Sequence, residues 1–148
     1  MHAVLTGDIV NSTLLDKARE QRLFSALNLI LSGHRHEFFR GDSFQAYISE
    51  PKDALKMALL CRTAAIGLDP EASEVSADVR ISIGLGNVES PVRTLATAKG
   101  EAFLLSGRAL DDLKKAEGRL IIIIENKIAG VALEVMSDYI NSIYKQMT

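Results

Sequence analysis

Hydrophobic and polar positions change their period several times along the chain, and each change marks an element. Ala3 to Val10 is an apolar run carrying one acid, Asp8, and it reads as a strand that gives way to a loop. Asn11-Ser12-Thr13 then offers helix-capping side chains, and Thr13 with Asp16 has capping-box spacing. The helix that follows runs to about Ser32. Leu23, Phe24, Leu27, Ile30 and Leu31 form its apolar stripe, Arg19 and Arg22 lie off that stripe, and Gly33 is the stop. His34 to Ser49 is a hairpin of two aromatic-rich strands joined at Gly41-Asp42.

Pro51 fits the first turn of a second helix, whose positions Ala54, Met57, Ala58, Cys61, Ala65 and Leu68 recur at helical spacing and which Asp69-Pro70 closes. Asp78 to Gly86 alternates with period two. That places Val79, Ile81, Ile83 and Leu85 on one face and Arg80 and Ser82 on the other, a half-buried strand. Asn87 to Lys99 shows no clear period, and a third helix is expected from near Gly100 to near Gly118. Leu120 to Ile124 is a continuous aliphatic run, as in a central or covered strand. A last helix is expected over roughly Ala129 to Lys145, with Ala132, Val135, Met136, Tyr139, Ile140 and Ile143 as its apolar stripe.

The order β-α-β-β-α-β followed by α-β-α predicts an α+β fold with a ferredoxin-like core. In that unit the first and third strands are antiparallel neighbours, about 4.8 Å apart. Two Gly-Asp steps, Gly7-Asp8 and Gly41-Asp42, sit where the first strand ends and the third begins, 42 − 8 = 34 positions apart. The topology therefore brings both carboxylates toward one hard cation, the kind that takes oxygen ligands. Read singly, each Asp also fits a helix cap or a tight turn.

Composition narrows the class. A chain of 148 residues suits a single domain over 1–148, and Lys+Arg 17 against Asp+Glu 19 leaves a net charge of −2. That balance excludes an electrostatic footprint for nucleic acid, while a small anionic ligand arriving with its own cation remains compatible. Cys61 is the only cysteine, so no intramolecular disulfide forms, and it lies in the apolar stripe of a helix. Without a basic leader or a membrane-length apolar run, the expectation is a soluble cytoplasmic protein with no membrane partner. His34 and His36 share a strand face without an evident third ligand, and no Ser/His/Asp or Cys/His set assembles. Phe38, Phe39, Phe44 and Tyr47 read as hairpin core.

Four segments, in order over most of the first 115 positions, resemble the nucleotidyl cyclase superfamily, and most of all the small SatD-like proteins of bacteria. Thr6-Gly7-Asp8-Ile9-Val10-Asn11-Ser12-Thr13 resembles the metal-binding strand and phosphate loop of class III cyclases. Arg40-Gly41-Asp42-Ser43-Phe44 resembles their metal-binding hairpin and is also close to the Gly-Gly-Asp-Glu-Phe of diguanylate cyclases. Val79 to Gly86 resembles the next strand. Gly100 to Arg108 resembles the family's Gly-x-x-Val-Asn-x-x-x-Arg helix.

The resemblance implies a class III cyclase-like fold with Mg²⁺ or Mn²⁺ held by Asp8, Asp42 and the Ile9 carbonyl. It further implies that the backbone N–H groups from Val10 to Thr13 (Val10, Asn11, Ser12, Thr13) bind phosphate, as a helix start suits anions. Arg108 takes the place of the arginine that stabilises the transferring phosphoryl group, acting across a homodimer; as a helix residue it also reads as solvated surface. The departures are as informative. Leu104 stands where cyclases have Asn, Phe38 where they have a base-selecting Lys or Glu, and Arg40 and Ser43 break the diguanylate cyclase motif. Neither Leu104 nor Phe38 can hydrogen-bond a ribose or a base edge. Three readings stay open: a degenerate domain that binds a purine nucleotide or phosphate with a divalent metal as a sensor, an active cyclase using ATP or GTP, and an interaction module without a ligand. SatD-like proteins can carry a DNA-binding helix-turn-helix after this region, so the resemblance also allows the chain to be a piece cut before one.

Overall fold

A computed structural model describes residues 1–68 and 76–147. The expected helix stop at Asp69-Pro70 lies outside the described residues. Five strands and four helices follow in the order β1 (His2–Val10), α1 (Lys17–Leu31), β2 (Arg35–Phe39), β3 (Ser43–Ile48), α2 (Ala54–Ile66), β4 (Asp78–Gly86), α3 (Glu101–Lys114), β5 (Leu120–Ile124) and α4 (Lys127–Met147). The sheet order is β2-β3-β1-β4-β5. β1 is antiparallel to both β3 and β4, and β5 joins β4 in parallel. This is the expected α+β architecture with its ferredoxin-like core.

The two faces of the sheet differ in chemistry. Ala3, Leu5 and Ile9 of β1 pack with Leu23, Leu27 and Leu31 of α1 and with Ala58 and Cys61 of α2 in one apolar core. The alternate residues Thr6 and Asp8 face α3, where the Thr6 and Ser106 hydroxyls meet at 2.7 Å and Ser82 Oγ donates to the Ser106 carbonyl at 2.5 Å. Gly84 permits this close approach: a Cβ there would lie 2.3 Å from the Ala102 carbonyl oxygen. β4 is therefore covered on both faces, not half-buried as its alternation suggested, because small residues on its second face admit a helix.

Other expectations shift in detail. α1 begins at Lys17, and its cap is Asp16, whose carboxylate accepts from Arg19 N at 2.9 Å. Thr13 instead falls in a 3₁₀ turn over Ser12–Leu14 entered through Asn11 at φ 58°. Arg19, expected off the stripe, is buried with Leu23, Leu27 and Leu31, one turn before them on the same face, where its aliphatic stem can pack. β5 is the edge strand, covered by helices and not central.

The largest correction concerns α4. Of its expected stripe, Ala132, Val135, Met136, Tyr139 and Ile143 are exposed and only Ile140 is partly buried. The face turned inward carries Leu133, Ser137, Ile140, Asn141 and Tyr144. Hydrogen bonds decide the rotation. Asn141 Oδ1 accepts from Arg119 N at 3.1 Å and Leu120 N at 3.0 Å, its Nδ2 donates to Leu120 O at 2.8 Å, and Ser137 Oγ accepts from Ile122 N at 3.1 Å. These side chains satisfy the outer groups of an edge strand that otherwise end unpaired.

Candidate functional site

β1 and the turn between β2 and β3 bring the two Gly-Asp steps together, each for its own reason. Gly41 is a turn glycine: Arg40 (φ 54°) and Gly41 (φ 77°) both adopt left-handed backbone before Asp42. Gly7 is a packing glycine inside the strand. A Cβ there would sit 2.5 Å from the Phe44 ring and 2.9 Å from the Arg80 carbonyl oxygen. Asp8 lies two residues short of the strand's end, not at it, because β1 keeps pairing with β4 as far as Val10. Its Cα partners are Ser43 on one side and Arg80 on the other, and the Asp42 carbonyl accepts from Ile9 N at 2.8 Å.

The carboxylates meet different surroundings. Asp8 is buried between two cations, with Arg80 Nε 3.4 Å from Oδ1 and Lys114 Nζ 3.6 Å from Oδ2. Oδ1 and the Arg80 Nε face each other as an ion pair, yet neither makes a hydrogen bond. Asp42 lies near two hydroxyls, Ser12 Oγ and Ser43 Oγ, each at 3.4 Å. Counting Asp8, Asp42, Arg80 and Lys114 together, the local charge is zero. Among the described residues no group of three or more His, Cys, Asp or Glu is placed to hold a metal ion.

Val10 to Thr13 lead away from this end of β1. They form no part of an α-helix start, since the 3₁₀ turn intervenes and the first turn of α1 is already capped by Asp16; the dipole argument for that segment does not apply. Val10 and Asn11 also border a cleft of about 510 Å³, together with Arg62, Asp78, Arg119 and Asn141. Its floor is internally paired: Arg62 donates to Asp78 at 3.2 and 2.9 Å and lies 4.1 Å from the Tyr144 ring centroid.

Residues carried over from the cyclase helix lie elsewhere. Arg108 and Leu104 are exposed on α3, on the side turned from Ser106, Ala109 and Leu113, which pack on the sheet. Phe38 stacks edge-on with Phe24 at 5.1 Å and contacts Phe44 at 5.8 Å, on the apolar face opposite Asp8. His36 bonds Asn28 and the His34 carbonyl. Sequence reasoning missed Arg80 and Lys114 as partners of Asp8. The alternation of β4 and its antiparallel pairing with β1 are enough to find Arg80; nothing in the sequence marks Lys114. A second acid pair, Glu101 and Glu125, lies beyond the other end of β4, where the hydrogen bond that protonated Glu125 donates to Glu101, together with the Glu101 charge, raises the Glu125 carboxyl above the usual range.

No family model matches this sequence, and no curated protein matches it either. Two solved structures of a bacterial light-regulated adenylyl cyclase are similar to it, at 16% and 17% identity and a TM-score of 0.56 each. The match covers 82% of this chain and 42% of each cyclase chain, so this chain corresponds to less than half of those proteins. At such identity the likeness is one of fold: the domain is cyclase-like in architecture. Among the described residues no helix is long and apolar enough to cross a membrane.

Proposed function

We propose that this cyclase-like domain binds a purine nucleotide or a related phosphate ligand with Mg²⁺ or Mn²⁺ at Asp8 and Asp42, as a sensory or regulatory module and not as an efficient cyclase. The observation that carries the reading is Asp8 itself, a buried carboxylate one register step from Asp42 whose Oδ1 has no hydrogen bond. A buried carboxylate oxygen that faces a cation without a hydrogen bond calls for an explanation, and a bound ligand supplies one. Two carboxylates and the Ile9 carbonyl are hard-oxygen donors of the type both cations take, so the donor set fits. A cation bound there supplies charge that offsets phosphate oxygens. Arg80 and Lys114, which neutralise Asp8 in its absence, are then positioned as cationic partners for the phosphates.

Lost efficiency follows from Leu104 and Phe38, which offer no hydrogen bond to a ribose or base, and from Arg108 turned away from the sheet. The likeness in fold to adenylyl cyclases favours one second reading, cyclisation of ATP or GTP with Arg108 supplied across a homodimer. Calorimetric titration with ATP and GTP, with and without Mg²⁺ or Mn²⁺, separates them when paired with an assay for cyclic product. Metal-dependent binding without product supports the sensor; product abolished by Asp8→Ala or Asp42→Ala supports the enzyme. Absence of binding by either nucleotide sinks both.

A further inference from the structure

Two acids of the sheet face cations, and they do so differently. Asp78 on β4 takes Arg62 in a bidentate pair, at 3.2 and 2.9 Å, as a settled structural ion pair does. Around Asp8 the cations stay further off. Arg80 Nε lies 3.4 Å from Oδ1 without a hydrogen bond, and Lys114 Nζ lies 3.6 Å from Oδ2, beyond hydrogen-bond distance. Such a cage neutralises Asp8 without closing on it, so either oxygen can change partner.

The two cations are not equivalent. Arg80 is fixed: it is the register partner of Asp8 on β4, its Nε is buried, and its side chain is 21% exposed. Lys114 comes from the last turn of α3, its side chain is 43% exposed, and it carries a compact charge on a flexible stem. The lysine can leave without disturbing the sheet.

We propose that Lys114 gates the site of Asp8 and Asp42: it holds the place of a divalent cation and yields it to a metal that arrives bound to a phosphate chain. This inference rests on the metal and phosphate reading above and adds a selectivity to it. Asp8, Asp42, Arg80 and Lys114 sum to zero charge, so a bare divalent ion leaves the site positive, beside two cations that repel it in a partly buried place where salt screens little. With a phosphate chain present, Lys114 exchanges one anion for another and Arg80 gains a second. The site therefore selects metal-bound di- or triphosphates over the free ion, and metal and phosphate strengthen each other's binding by the same factor.

Manganese binding tests the gate, read from the paramagnetic resonance of the free ion without nucleotide and from calorimetric titration with Mn²⁺-bound ATP. Lys114→Met is expected to bind Mn²⁺ alone on the order of tenfold more tightly than the native chain, and Mn²⁺-bound ATP on the order of tenfold more weakly. Lys114→Arg keeps the charge and is expected to retain the native order. A substitution that only loosened α3 would weaken both. Lys114→Met binding Mn²⁺ alone no more tightly than the native chain overturns the gate. Should that variant lose its far-ultraviolet circular dichroism, the native chain decides: broadening of the Ile9 amide by Mn²⁺ only when ATP is present supports the gate, and equal broadening with and without ATP overturns it. Either failure leaves the nucleotide reading standing where Mn²⁺-bound ATP binds the native chain and not Asp8→Asn. Mn²⁺ held by neither chain, alone or with ATP, overturns the gate and that reading together.

Discussion

The two sides of β1 divide the molecule's work. Ala3, Leu5 and Ile9 point into the apolar core under α1 and α2, whereas Thr6 and Asp8 point toward α3 into hydroxyls and charges. One strand thus anchors stability on one face and presents a buried acid on the other. The comparison shows why the acid can be tolerated: an inner strand fixed by the core holds Asp8 in place, and Arg80 and Lys114 neutralise it. A charge so buried without those partners would be costly.

The division predicts unequal consequences for substitution. Leu5→Ala, on the core face and fully buried, is expected to cost about 2–5 kcal/mol in denaturant unfolding, without changing the ligand's dependence on metal. On the α3 face the largest effect comes from Gly84→Ala. The added methyl meets the Ala102 and Ser106 backbone at 2.3 and 2.7 Å, so α3 must shift, at about 1–3 kcal/mol in the same measurement. Ser106→Ala removes the 2.7 Å hydroxyl contact with Thr6 and is expected to cost only about 1 kcal/mol, because Thr6 keeps its bond from Gln45 and the Ser106 carbonyl still accepts from Ser82. Equal costs for Leu5→Ala and Ser106→Ala would break the comparison.

Cys61 sharpens it from the core side. Burial pushes its thiol up to about 12, so the folded chain keeps it protonated where an unfolded chain would not. With the folded value above the unfolded one, this contribution to stability is constant below pH 9 and declines as pH rises toward 12. Native alkylation with iodoacetamide at pH 8.5 is expected to be slow and to accelerate only in denaturant; fast native labelling would place Cys61 outside the core.

Much of this arrangement was legible in the sequence. Element order gave the topology, and alternation in β4 put Arg80 on the face opposite Ile81. Three features were not legible, for physical reasons that involve partners distant in the chain. The stripe of α4 shows an apolar face but not whether it turns inward, since Ser137 and Asn141 bond an edge strand that hydrophobic periodicity does not register. The role of Gly7 depends on Phe44, and that of Gly84 on α3. The 3₁₀ turn after β1 replaced an expected helix start because Asp16, three residues later than Thr13, had the geometry to accept from the Arg19 amide. Around Asp8, the two acids and the strand face that carries Arg80 were legible in the sequence, and Lys114 was not.

The central claim is that Asp8 and Asp42 bind one divalent cation together with phosphate. Paramagnetic broadening of backbone amide signals by Mn²⁺ in the presence of ATP or GTP locates that ion directly. The account predicts selective loss of the Ile9, Asp42 and Ser43 amides in the native chain, and their retention in Asp8→Asn. Broadening centred instead on Glu101 and Glu125, or unchanged broadening in Asp8→Asn, would contradict it.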